Sequence, residues 1–264
     1  MTDTAKKWLI TAISLSVSGI IIFLAVMTAY GFDFSKLDTE EYKTDTYNIE
    51  EDFNDIEIEN DTADISFVLS ESNNCKVVCY GQKYKKSSAT VTDGVLKISS
   101  LYDTNKKWYD HIGINIKSQK ITLYLPKSEF DSISVKESTG DIDIKNLTAN
   151  TLNIDVSTGE IKINNVLCQN FSSNGSTGDV ILKNVKADNK ISIKRSTGNV
   201  ILRDCDGKNI TVKTSTGDVK GTLLSGKKFT AKTSTGDVII PPSSKNGESC
   251  KITTSTGDIK IKAK

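Results

Sequence analysis

Residues 213–220 read KTSTGDVK, and how this octapeptide is read decides the fold. Its centre, Ser-Thr-Gly-Asp followed by Val or Ile, recurs at Ser138, Ser157, Ser176, Ser196, Ser215, Ser234 and Ser255, with Glu160 and Asn199 replacing Asp in two copies. The motif glycines stand at 140, 159, 178, 198, 217, 236 and 257, in steps of 19, 19, 20, 19, 19 and 21 residues. A fixed period of this size is the mark of an architecture built by stacking one unit.

Aligned on the motif Thr, the repeats form columns. Six residues before it stand Ile133, Leu152, Phe171, Ile191, Ile210, Phe229 and Cys250. Four before it stand Val135, Ile154, Ser173, Ile193, Val212, Ala231 and Ile252. Three after it, every copy carries Ile or Val, and five after it most carry Ile or Leu. Each repeat therefore reads as two period-2 strands whose phase slips at the motif. A phase slip marks a corner that lets both strands face one interior. Asn146, Asn165, Asn184 and Asp204, seven after the Thr, mark a second corner, because Asn tolerates the left-handed conformation and can ladder with its neighbours. The expected fold is all-β: a single-stranded parallel β-solenoid of about seven coils over 132–264. A strand-rich section over 45–131 serves as its N-terminal cap and includes a hairpin at Asp93-Gly94. The chain is expected to end in an open coil, Lys260–Lys264, whose lysines discourage edge pairing.

Upstream the pattern changes. Trp8–Tyr30 is an uncharged, apolar stretch of 23 residues. As a helix it spans roughly 30 Å, enough for a bilayer's hydrocarbon core. Lys6-Lys7 precede it and acidic residues follow, which predicts an uncleaved signal-anchor over 8–30. Residues 1–7 are then cytoplasmic, 31–44 an acidic tether, and everything beyond lies outside the cytoplasmic membrane. A cleaved signal peptide is the rival, but Met27 sits where a small residue is wanted.

The hairpin DGVLKIS and the run ITLYLPKSEFDSISV lead into the SxSTGDI repeats behind the apolar segment. Together they resemble the "putative adhesin" β-strand-repeat family, domain of unknown function 4097, over about 47–264. That resemblance implies a β-solenoid exposed outside the membrane in bacterial envelopes, in some relatives associated with envelope-stress operons. It implies no catalytic residues.

Function classes narrow accordingly. Charge is balanced, 34 Lys+Arg against 33 Asp+Glu, so no overall field favours nucleic acid. The five cysteines show no metal-ligand spacing and read as small apolar core residues. The acids of the motif (Asp141, Glu160, Asp179, Asn199, Asp218, Asp237, Asp258) stack as one column and would repel. Calcium between coils is one remedy, but calcium wants six to eight oxygens and the column offers one carboxylate per coil. The other remedy is a structural corner. In it Gly140, Gly159, Gly178, Gly198, Gly217, Gly236 and Gly257 supply a positive φ, the acids close the turn, and Lys136, Lys194, Lys213 and Lys232 temper the charge. An enzyme of the polysaccharide-active β-helix kind needs a groove built from long loops, and these turns are tight. The reading is a non-catalytic binding or scaffold module with no cofactor and no metal, its partner an envelope protein or polysaccharide. The loop bearing Tyr102, Trp108 and Tyr109 is the expected contact.

Overall fold

The computed structural model describes residues 2–33, 41–70, 74–102 and 117–264, with the side chains of 101–102 excepted. It falls into two units, one built on the N-terminal helix and one on the strands.

Helix α1 spans Asp3–Ala29, capped by Thr2, whose hydroxyl accepts from the Ala5 N–H. Its most apolar 18-residue window has a mean hydropathy of 2.5, and it is long and apolar enough to cross a membrane. Three of its hydroxyls are satisfied within the helix. Thr11, Ser16 and Thr28 donate to the carbonyls of Lys7, Ala12 and Leu24 at 2.9–3.0 Å. That arrangement suits an environment without water.

The second unit is almost wholly strand. Its first part holds β1 (Tyr42–Ile49), β2 (Asp55–Thr62), β3 (Asp64–Leu69), β4 (Cys75–Gln82), β5 (Lys85–Thr92), β6 (Val95–Tyr102) and β7 (Lys120–Leu125). The repeats follow as β8 (Glu129–Thr139), β9 (Ile142–Thr158), β10 (Ile161–Thr177), β11 (Val180–Thr197) and β12 (Val200–Lys213). The chain ends with β13 (Val219–Leu223), β14 (Lys227–Lys232), β15 (Val238–Ile239), β16 (Glu248–Thr253) and β17 (Ile259–Ala263).

Successive repeats pair in parallel, motif on motif. Ile133 faces Leu152, Leu152 faces Phe171, Phe171 faces Ile191 and Ile191 faces Ile210, so each sequence column becomes a physical stack. From β8 to β12 the inward apolar residues of both strands are almost completely buried and form one continuous core, whereas Val238 in the outermost repeat is 41% exposed. The Asn corner is present too: Asn146, Asn165, Asn184 and Asp204 have φ of 51–56°. The first two rungs of its ladder are 2.9–3.0 Å bonds from Asn165 to Asn146 and from Asn184 to Asn165.

The stack begins earlier than 132. β2 pairs in parallel with β8, Ile56 on Ile133 and Ile58 on Val135, and β3 pairs with β9, Ile65 on Ile142. β6 and β7 add a further parallel layer on β2 and β3. Only then does polarity reverse: β5 is antiparallel to β6, and β1 and β4 lie antiparallel in the order β1-β4-β7. The β5–β6 hairpin turns at Asp93-Gly94, both with positive φ, as the sequence predicts.

The far end departs from expectation. β16 lies between β12 and β14, with Cys250 facing both Ile210 and Phe229. β17 likewise lies between β13 and β15. The last repeat in sequence is therefore next to last in space, and the outermost strands are β14 and β15. Lys260–Lys264 thus does not form the outermost layer, although β15 pairs with that strand only at Ile259 and Lys260.

Candidate functional site

The repeated corner is the chain's most conspicuous polar feature, and its chemistry is consumed by stacking. Each motif glycine has φ between +122° and +152°, a region closed to L side chains. A Cβ on any of them would also lie only 1.9–2.3 Å from the carbonyl oxygen of the residue stacked beneath it. The glycine N–H donates to the motif Thr carbonyl of the next layer, as from Gly159 to Thr177 at 3.0 Å.

The acids form a ladder. Asp64 accepts the Asp141 N–H at 3.1 Å and Asp141 the Glu160 N–H at 2.8 Å. Asp179 accepts from Asn199 at 2.7 Å, Asn199 from Asp218 at 2.9 Å, Asp218 from Asp258 at 2.8 Å and Asp258 from Asp237 at 2.9 Å. An amide can stand in the column at Asn199 because the rung needs only an acceptor oxygen. The charge is tempered by lysines two residues after the acid, not by those predicted. Lys162 pairs with Glu160, and Lys220 and Lys260 pair with Asp218 and Asp258 at 2.7 Å. Lys220 beside Asp218 holds that carboxyl below the ordinary range, and the Asp237 N–H followed by Lys260 does the same for Asp258.

Sequence reasoning did not foresee that a second polar column, two residues before the motif Thr, lies in the interior. In order along the stack it holds Asn60, Glu137, Val156, Gly175, Arg195, Thr214, Thr254 and Thr233. Their polar residue types make these positions look irregular and outward, yet the alternation carries them inward, and Asn60, Glu137, Val156, Arg195, Thr214 and Thr254 are all buried. The Arg195 guanidinium donates to the Val156 carbonyl at 2.9 Å and to Ser173 Oγ at 3.2 Å. It occupies the space that Gly175 leaves, since a Cβ there would sit 1.7 Å from Arg195 Nη1. Gly175, Ser173 and Arg195 are thus one compensated set, visible in the sequence only as three departures from their columns. Thr214 and Thr254 instead donate to corner carbonyls, Gly198 and Gly217, at 3.4 and 3.1 Å. At the other end Glu137 accepts from Asn60 at 2.9 Å, and burial pushes its carboxyl up to about 7.

Lys227 was also missed. Fully buried, it donates to the Gly207 carbonyl at 2.9 Å and pairs with Asp206 at 2.6 Å and Glu248 at 2.9 Å. It ties outermost β14 to the segment of β12 on the other side of inserted β16. Burial pulls its pKa down, but the two carboxylates more than offset that and leave it raised.

All five cysteines are free and buried, and burial pushes the thiols up, to about 11 for Cys75 and Cys205 and about 12 for Cys168 and Cys250. Thiols held so high are inert side chains of the core. Among the described residues no group of three or more His, Cys, Asp or Glu could hold a metal ion. Trp108 and Tyr109 lie outside the described residues, and Tyr102 is described only as the backbone end of β6.

A parallel stack of short repeats whose motif is spent on stacking, capped by antiparallel strands and preceded by an apolar helix, defines a class of β-strand-repeat proteins. Within that class the chain belongs to the Toastrack DUF4097 family, whose model matches residues 53–264. No curated protein matches it. Among solved structures it is similar to a "putative adhesin" from Bacteroides fragilis, 21% identical, covering 85% of this chain and 98% of that one with a TM-score of 0.52. It is also similar to a "putative lipid binding protein" from Parabacteroides distasonis, 16% identical, covering 83% and 97% with a TM-score of 0.50. These likenesses concern the fold.

Proposed function

We propose that the protein is a single-pass, outward-facing β-solenoid of the cell envelope that acts as a non-catalytic binding or scaffold module. Residues 8–30 anchor it, 1–7 face the cytoplasm, 31–41 tether it (the tether expected to 44 ends where β1 begins at Tyr42), and the strand-rich remainder stands outside the membrane. The seven STGD-type corners, Gly140-Asp141 through Gly257-Asp258, are structural. The observation that carries this reading is the acid ladder: carboxylates that accept the next layer's backbone N–H are committed to stacking and have little left for a ligand. The names borne by the two fold relatives, adhesin and lipid binding, accord with binding as the role. The partner is an envelope protein or polysaccharide, and the loop with Tyr102, Trp108 and Tyr109 is its proposed contact.

Protease treatment of intact cells expressing the full chain is the test. Digestion of the strand-rich part, with the N-terminal segment retained in the membrane fraction, is expected. Full protection, or release by alkaline washing, overturns the anchored, outward orientation. Chelation is expected to leave the melting temperature unchanged. A large calcium-dependent rise would show that the acid column holds metal.

A further inference from the structure

The outward positions four residues after the motif Thr are Asp143, Lys162, Ile181, Ile201, Lys220, Ile239 and Lys260. Charge is the expected occupant of a solvated face, so the isoleucines need a reason. Two of them, Ile201 and Ile239, bracket Lys220 and Lys260 in one row across four layers near the C-terminal end. β15 pairs with β17 for only two residues, because Pro241-Pro242 follow and proline has no N–H to give the ladder. Pairing stops there and leaves Ile261 and Lys262 uncovered on that side. The result is a depression of about 470 Å³, within the size range of small-ligand sites.

Its outward apolar lining comes from Ile201 and Ile239, the latter 58% exposed, above the buried core residues Leu202 and Ile261. Every charged residue lining it is basic: Arg203, Lys220, Lys260 and Lys262. That one-sidedness is notable in a chain whose net charge is only +1. Lys220 and Lys260 are already held by Asp218 and Asp258. Arg203 and Lys262 form no ion pair among the described residues, and both are exposed. An apolar depression with two uncommitted cations at its rim is complementary to a molecule with a hydrocarbon tail and an anionic head.

We infer that this depression binds one acyl chain of an anionic lipid, with its phosphate on Arg203 and Lys262. The inference goes beyond the proposed envelope role and does not depend on the orientation of the anchor, so binding data and protease data fail separately.

The full chain in phosphatidylcholine nanodiscs, dialysed against radiolabelled dodecyl phosphate with empty nanodiscs as background, tests it. Saturable binding near one per chain is expected. Ile239→Asp, at an exposed position, should weaken it about tenfold. Arg203→Glu combined with Lys262→Glu should do the same, with melting temperatures that show each variant folded. Dodecyl maltoside, with the same chain and no charge, should bind at least about tenfold more weakly, and inorganic phosphate alone should not bind. No binding above background, equal affinity in both folded variants, equal binding of the maltoside, or phosphate binding without the chain each overturns the inference.

Discussion

From Ser132 to Lys213 the repeats stack in the order in which they are written, whereas beyond Lys213 the last two exchange places. Both regions use the same corner, and the acid ladder runs through the exchange from Asp218 to Asp258 to Asp237 with bonds of 2.8–2.9 Å. The motif thus specifies how one layer sits on another and is indifferent to which layer that is. Order has to be set by something else. In the middle region short connections suffice, since each strand can reach only the adjacent layer. At the end, Lys227 reaches past β16 to Asp206 and Gly207, and Glu248 of β16 closes over it.

The comparison can be broken most severely at the shared corner. Gly178→Ala forces a Cβ to within 2.0 Å of the Gly159 carbonyl oxygen at a φ of +122°. It should cost about 3 kcal/mol or more in chemical unfolding. Gly236→Ala, in the outermost repeat, should cost clearly less, since an end layer can fray alone. Equal losses would mean that the two regions unfold as one unit.

The buried column differs at its two ends, carboxyl at Glu137 and hydroxyls at Thr214 and Thr254, and pH should separate them. The Glu137 carboxyl is raised from 4.5 to about 7 in the folded state. Its contribution is therefore fully present below about pH 4.5 and lost as pH rises through about 7. Glu137→Gln should remove that loss, gaining at most about 3 kcal/mol over the parent above pH 8, from 1.36 kcal/mol per pKa unit. Parallel pH profiles for parent and variant would refute this.

Lys227→Met keeps the bulk and removes the clasp. A loss of about 2 kcal/mol is expected, with hydrogen exchange accelerating first in the outermost layer, 227–239, while 142–197 stays protected. Uniform acceleration would remove Lys227 as the device that holds the exchanged order. At the second corner, Asn165→Ala should cost about 1–2 kcal/mol through its left-handed backbone and lost ladder bonds. Asn165→Gly should cost less, because only the ladder is lost. Smallest of all, Lys220→Ala breaks an exposed pair and should stay within about 0.5 kcal/mol.

Much of the fold was legible because it follows from local rules. The period, the alternation on each side of the motif and the φ demands of Gly and Asn can all be read without knowing any contact. The earliest layer was legible in principle. Ile56, Ile58, Thr62, Asp64, Ile65 and Phe67 keep the spacing of the columns, and only Ala63 in the glycine place hides it. The purpose of the irregular column was not legible. Glu137, Gly175 and Arg195 look like failures of a pattern until burial shows that each fills or vacates space for a neighbour a full repeat away.

The sequence by itself therefore determined the unit: two strands, a glycine corner, an asparagine corner and the faces each strand buries, all set by sterics and by period. Only the tertiary structure decided how the units are used. It set where the stack begins, that its last two layers change places, and that two outward isoleucines line one depression beside unpaired cations. These depend on contacts between residues about 20 to 80 positions apart, such as Lys227 with Asp206 and Ile56 with Ile133, and no local preference encodes a partner at that distance.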